Sequence, residues 1–295
     1  MPPLTLAVPV RNGARYLPAT LESLNAQGAE VRWWLQDGAS TDDTVAIAEK
    51  CARPGDTVVS APDSGQPDAL NRAFTRMGGE IVGFLNGDDL LAPGAARQVL
   101  DFFAANPDID LVHGSVQWID AEGKPEGTHT GRITSLAEVL DIYGVWWADR
   151  QWVQPEVFFR RALWEKAGGF DTGYDLAFDY AFWVRCFLAG ARVAYLPAVL
   201  CHFRRHAAQK SAASERAADE IRAIVRRYLP GAEIAAPGRW SIEAQLCYDL
   251  YQAGRSPRSG GHFFTEFLRH PHWLLSPWAR ERAAAAVVRR MTNGE

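Results

Sequence analysis

Short apolar runs alternate with segments whose apolar residues recur every three or four positions through the first ~120 residues, the pattern of βαβ units and a largely parallel sheet. Leu4–Val10, Val31–Gln36, Thr57–Ser60 and Ile81–Leu85 read as strands. Between them, Leu17, Leu21 and Leu24 keep helical spacing, and Ser40-Thr41-Asp42-Asp43 gives a helix-start signal ahead of Val45, Ile47 and Ala48. Ala69, Leu70, Ala73, Phe74 and Met77 form another helical stripe. Val99, Leu100 and Phe103 predict a further helix and Leu111–Val116 a further strand, while polar, glycine-rich Asp120–Gly131 reads as a turn or loop. Beyond residue 131 the pattern is mixed. Glu156–Arg160 and Arg192–Leu196 are predicted strands, and Arg161–Ala167, Phe178–Leu188 and Ser214–Tyr228 predicted helices. The Gly/Ala/Pro-rich stretch from Pro230 to Gly238 predicts a linker, followed from Arg239 by two or three helices. The expected organisation is an α/β domain over 1–230, in two halves meeting near residue 120, and a helical C-terminal extension over 231–295.

Composition narrows the class. In 295 residues, 47% hydrophobic and 22% charged content is the balance of a soluble globular enzyme. A net charge of −4 gives no support to nucleic-acid binding. Cys51, Cys186, Cys201 and Cys247 are widely separated and form no CxxC pair, which suits reduced thiols in a cytosolic protein better than a disulfide framework or a zinc site. The N-terminal segment lacks the basic and long apolar regions of a signal peptide, and no run of ~18 apolar residues predicts a membrane span. A cytoplasmic protein is expected, with any membrane contact peripheral at the inner face.

The polar residues are not evenly spread. Val10 is followed by Arg11-Asn12-Gly13, Gln36 by Asp37-Gly38, Ser60 by Ala61-Pro62-Asp63-Ser64-Gly65, and Leu85 by Asn86-Gly87-Asp88-Asp89. In open α/β sheets the carboxyl ends of the strands form the ligand crevice, so this convergence predicts a binding site. Adjacent carboxylates at the end of an apolar strand suit a hard cation held against a phosphorylated ligand. Taken singly, Asn-Gly and Gly-Asp are ordinary turn dipeptides.

In order and spacing, Pro9-Val10-Arg11-Asn12, Gln36-Asp37-Gly38-Ala39-Ser40-Thr41-Asp42, the Pro62–Asn71 stretch and Asn86-Gly87-Asp88-Asp89 resemble the family 2 glycosyltransferases. The resemblance continues through Gln154–Arg161, Gly168-Gly169-Phe170-Asp171 and Asp179-Tyr180-Ala181-Phe182-Trp183, and covers residues 4–210. It implies a GT-A fold (Rossmann-like, with a mostly parallel sheet flanked by helices), a nucleotide-sugar donor such as a UDP-sugar, a divalent cation (Mn2+ or Mg2+) and inversion at the anomeric carbon. Residues 1–120 would be the nucleotide-binding half and 121–230 the acceptor and base half.

By the same resemblance, Asp37 hydrogen-bonds the donor's base, Pro9, Val10 and Arg11 line the nucleoside pocket, and Asp63, Asp68 and Asn71 face that site. Asp88 matches an aspartate near ribose and metal, Asp89 the direct metal ligand, and His206 a further metal or diphosphate contact. Plainer readings stand beside several of these. Asn12 holds a turn, Asp68 favours a helix N-terminus, and His206 is a loop histidine. Arg204, Arg205 and Lys210 either pair with phosphates or stay solvated. Inverting transfer needs one base for the acceptor hydroxyl. The resemblance points to Asp179, although Phe178 stands where the family commonly has Glu and Ala181 where it often has Asp. A helix N-cap is the alternative role for Asp179, and Asp171 and Asp175 are rival bases.

The acceptor is expected to be a glycan or lipid-linked saccharide. Trp146, Trp147, Asp149, Arg150, Trp152 and Gln154 either shape its pocket, Trp147 and Gln154 foremost, or pack. The Gln-x-x-Arg-Trp signature of processive synthases is missing, which predicts one sugar per encounter. Aromatic and leucine residues interspersed with arginines over 263–290 predict either a peripheral membrane contact or a helical cap or homodimer contact. Two other functions compete. A nucleotidyltransferase would call for an N-terminal Gly-rich basic loop, for which Arg11-Asn12-Gly13 is too slight. A non-catalytic nucleotide-sugar-binding module would not call for Asp88, Asp89 and Asp179 together.

Overall fold

The computed structural model describes residues 4–210, 214–252, 265–266 and 268–282. In chain order the elements are β1 (Leu4–Val10), α1 (Leu17–Asn25), β2 (Val31–Asp37), α2 (Thr44–Cys51), β3 (Thr57–Ser60), α3 (Gln66–Arg76), β4 (Ile81–Phe84), β5 (Leu90–Leu91), α4 (Ala95–Ala105), β6 (Leu111–Ile119), β7 (Pro125–His129) and α5 (Leu136–Val139). They continue with β8 (Val157–Arg160), α6 (Arg161–Ala167), α7 (Phe178–Leu188), β9 (Val193–Arg204), α8 (Ser214–Tyr228) and α9 (Ala236–Gln252). The chain divides into two compact units, Met1–Arg132 with Gln151–Ala217, and Ile133–Arg150 with Ala218–Glu295.

The first unit is built on one sheet in the order β3-β2-β1-β4-β8-β6-β9-β5, with β7 paired to β6. The first four strands are parallel because each is joined to the next by a helical crossover. β8 runs antiparallel to both β4 and β6, and β9 is parallel to β6. On one face Leu17, Leu21 and Leu24 of α1 and Val99 and Phe103 of α4 pack with Leu4, Leu6 and Val8 of β1 and Trp33 and Leu35 of β2. Their fully buried side chains each contribute about 1.5–3 kcal/mol of apolar burial. A separate set of rings holds α7. Phe159 of β8 lies 5.9 Å from Phe74 of α3 and 5.1 Å from Phe182 of α7, and Phe170 lies 4.8 Å from Phe182. This cluster fixes the start of α7, where Asp179 sits. Gly114 is required by the β6–β9 pairing, since a Cβ there would stand 2.5 Å from Leu200 and 2.7 Å from the Ala198 carbonyl oxygen.

Three expectations are corrected. Residues 120–131 are not all loop: Pro125–His129 forms β7, a sheet-edge strand carrying little apolar side chain and so no alternation to read. The strand expected to end at Leu196 runs through Pro197 to Arg204. Helix α9 begins at Ala236, inside the expected linker. The division of the chain also differs from a simple cut at residue 230. In the second unit, buried Asp249 of α9 accepts hydrogen bonds from Arg222 of α8, from Tyr143 (3.2 Å) and from Trp147 Nε1 (3.1 Å). Residues 133–150 therefore belong with the C-terminal helices.

Among the described residues no helix is long and apolar enough to cross a membrane. Of the aromatic and basic residues expected at a membrane or dimer contact, Phe263, Phe264, Phe267, Arg289 and Arg290 lie outside the described residues. Leu274 and Leu275 are exposed, whereas Trp273 is buried.

Candidate active site

The carboxyl ends of β1, β3 and β4 open into one cleft of ≈ 1650 Å3 in the first unit, completed by the start of α7 and the segment after β9. Pro9, Val10, Arg11 and Asn12 line it from β1, Asp63–Gln66 from β3, and Phe84, Asn86, Gly87 and Asp88 from β4. Gln154, Asp175, Phe178, Asp179, Arg205, His206 and Lys210 also line it. The edge is held together locally. The Val10 carbonyl accepts from Gly38 N–H at 2.9 Å, and Asn12 takes a left-handed backbone (φ 52°) while its Oδ1 accepts from Thr41 N–H at 2.9 Å. Asn12 thus both holds the turn and faces the cleft. Gly38 leaves room for Asp63, whose Oδ2 would stand 2.8 Å from any Cβ at that position.

The paired acids separate sharply. Asp88 faces the cleft, and its Oδ2 lies 3.0 Å from His206 Nε2. Asp89, expected to ligate metal directly, is instead 1% exposed. Its Oδ1 accepts from the Arg204 backbone N–H at 2.9 Å and its Oδ2 from Asn86 Nδ2 at 3.2 Å. Burial, and then the neighbouring Asp88 charge, hold its carboxyl well above the usual carboxylate range. Asp89 thus ties β9 to the β4 turn, while Asp88 is the acid of the pair that lines the cleft.

Three other expected site residues are engaged within the fold and do not line the cleft. Asp37 is fully buried; it accepts from Ser40 Oγ, from Ser40 N–H at 3.0 Å and from Ser60 Oγ at 2.6 Å, so Asp63 is the acid exposed to the cleft on that wall. Asp68 accepts from Ser64 N–H and Arg72, which lower its pKa, and caps its own loop. Asn71 exchanges two 2.8 Å hydrogen bonds with the Phe170 backbone and anchors the segment before α7. Trp147 bonds Asp249 in the second unit and is not among the cleft-lining residues.

Asp179 lines the cleft from the first turn of α7, where its Oδ1 accepts from Tyr180 N–H at 2.7 Å. The N-cap position is Ala177, so Asp179 is not the N-cap residue of α7. Gln154 also lines the cleft; its Nε2 donates to the Phe84 carbonyl at 2.5 Å and its Oε1 accepts from Asn86 at 3.4 Å. Sequence reasoning passed over Asn86, which joins Gln66, Asp89 and Gln154, and Tyr16, whose ring lies 4.8 Å from His206. It also missed the cleft-lining rings of Trp118 and Phe203. An aromatic at the end of a strand was the one available signal for the last two.

This arrangement meets known proteins in one place. Residues 5–173 match the family model described as Glycosyl transferase family 2. The chain belongs to that family. It is a glycosyltransferase of the GT-A fold. A PGL/p-HBAD biosynthesis glycosyltransferase of Mycobacterium bovis is 29% identical over 191 residues, covering 63% of this chain and 70% of its own. An uncharacterised Mycobacterium tuberculosis protein is 29% identical over 226 residues, covering 70% and 68%. Among solved structures, S. aureus TarS 1–349 in complex with UDP-GlcNAc aligns with TM-score 0.65 at 18% identity over 84% of this chain and 72% of that one. This chain spans 43% of a longer TarS chain. The mannosyltransferase PcManGT from Pyrobaculum calidifontis, in complex with GDP-Man and Mn2+, aligns with TM-score 0.61 at 19% identity over 100% and 88%.

Proposed function

We propose that this glycosyltransferase is metal-dependent and inverting, and moves one sugar from a UDP-sugar to a hydroxyl of a glycan or lipid-linked saccharide. The observation that carries the reading is the placement of Asp88 with His206 on one side of a single cleft and Asp179 on its α7 wall. A carboxylate oxygen and an imidazole nitrogen 3.0 Å apart suit Mn2+ or Mg2+, whose remaining positions diphosphate oxygens and water would fill. When bound, such a cation would neutralise charge growing on the leaving diphosphate.

The protein's own groups supply the rest. Pro9, Val10, Arg11 and Asp63 form the wall available to the nucleoside. Asp179 takes the proton of the acceptor hydroxyl as that oxygen bonds to the anomeric carbon. The bond from that carbon to the β-phosphate oxygen breaks with its electrons on UDP. Attack from the face opposite the phosphate inverts the centre. The solved neighbours hold donors with different bases, GDP-Man in PcManGT and UDP or UDP-GlcNAc in S. aureus TarS, so the base is tested directly. Isothermal titration of UDP and of GDP, each with Mn2+ and with EDTA, should give Mn2+-dependent binding of UDP. Binding unaffected by EDTA would contradict the metal, and preferential GDP binding would contradict the uridine assignment.

A further inference from the structure

Three cations stand close together in sequence at and beyond the end of β9, and their surroundings separate them. Arg204 is 4% exposed; its guanidinium donates to the carbonyls of Asp88, Asp120 and Ala121 and lies over the Tyr16 ring. Arg205 lies over the Trp118 ring at 4.2 Å. Lys210 instead turns onto a cleft carboxylate. Its Nζ donates to Asp175 Oδ1 at 2.5 Å and to the Asp175 carbonyl at 2.7 Å, and stands 6.0 Å from the Phe178 ring, next to Asp179 in sequence. Asp175 Oδ1 also approaches Gly65, where a Cβ would lie 3.6 Å away, and Asp175 Oδ2 holds Arg216 at 3.2 Å. The pair thus reaches from the Asp63–Gln66 loop to the start of the base helix.

We propose that Lys210 is the cation that grips the donor's diphosphate, and that Asp175 is its resting partner, displaced when the donor enters. This rests on reading the cleft as a nucleoside diphosphate-sugar site. Asp175 presents to the ammonium what a diphosphate presents, an anionic oxygen. The pair is 41% and 37% exposed, so it is worth a factor of about five or less. A charge-assisted bond to a phosphate is worth about tenfold or more, so the exchange runs toward the donor. As the bond to the anomeric carbon breaks, the ammonium then meets the charge appearing on the β-phosphate oxygen.

The test is UDP titration with Mn2+ on the full chain, for wild type, Lys210→Gln, Lys210→Arg, Asp175→Asn and the double variant, each first checked for an unchanged melting temperature. Lys210→Gln should weaken UDP binding about tenfold or more, with partial recovery in Lys210→Arg. Asp175→Asn should tighten it by about two- to fivefold, because the competing anion is gone. The double variant should bind as Lys210→Gln does. A merely structural ion pair would weaken binding in both single variants, and that result, or UDP binding unchanged in Lys210→Gln, overturns the assignment. Wild-type protein that binds neither UDP nor GDP overturns the reading of the cleft as well.

Discussion

His206 Nε2 stands 3.0 Å from Asp88 Oδ2, across 118 positions of chain. The contact exists because the β4 turn and the end of β9 are tied together one residue away, through Asp89 and the Arg204 backbone N–H. A cleft-lining pair and its supporting strut are thus close in sequence yet different in environment.

Asp88→Ala and His206→Ala should each leave the fold intact and remove Mn2+-dependent UDP binding. Sugar transfer should fall by at least about 100-fold, since the charge stabilisation supplied by a catalytic cation amounts to several kcal/mol. Nucleotide titration with and without Mn2+, alongside a melting curve, checks this. Mn2+ dependence retained in both variants would reject the pair as metal ligands.

Asp89→Ala should behave in the opposite way. It leaves the Arg204 N–H and the Asn86 amide without their buried acceptor, at a cost of about 1–3 kcal/mol each. Urea unfolding should show that loss, and Asp89→Asn should recover part of it. An Asp89→Ala protein as stable as wild type would contradict the strut.

Glu156 supplies a pH-dependent signature. It is fully buried, its Oε1 accepts from Val153 N–H at 3.2 Å, and its Oε2 has no hydrogen-bond partner among the described residues. Burial raises its carboxyl well above its ordinary 4.5. The folded state therefore binds a proton that the unfolded chain releases. Its contribution to stability is complete below 4.5 and is lost as pH rises through the elevated folded value. Glu156→Gln, which keeps the neutral shape, should match wild type near pH 4 and melt at a higher temperature than wild type near pH 8, roughly 2–4 °C per kcal/mol for a chain of this size. Melting temperatures that differ by the same amount at both pH values would contradict it.

Much of the first unit was legible because its signals are local. Parallel strands buried on both faces read as apolar runs, and α1, α3 and α4 carry periodic stripes. β7 was not legible, since Pro125-Glu126-Gly127-Thr128-His129 is paired by backbone rather than by apolar side chains. The inclusion of residues 133–150 in the second unit depends on Asp249, about a hundred positions from Tyr143 and Trp147. The site was legible as an edge of polar residues, but not in which of them faces ligand. Asp37, Asp68, Asn71 and Asp89 have the same composition and neighbourhood as true cleft residues. What draws them off the cleft is a hydrogen-bond donor or ion-pair partner: Ser60 for Asp37, Ser64 and Arg72 for Asp68, Phe170 for Asn71 and Arg204 for Asp89.

The most direct test of a cleft with a cation on one side and a base on the other is Asp179→Asn, measured for both UDP binding and sugar transfer. UDP should bind as tightly as to wild type, because the role proposed for Asp179 is toward the acceptor hydroxyl rather than the nucleotide. Transfer should fall by about 100-fold or more, the usual contribution of a general base. Unchanged transfer, or loss of UDP binding in a folded variant, would contradict the assignment of Asp179 as the base.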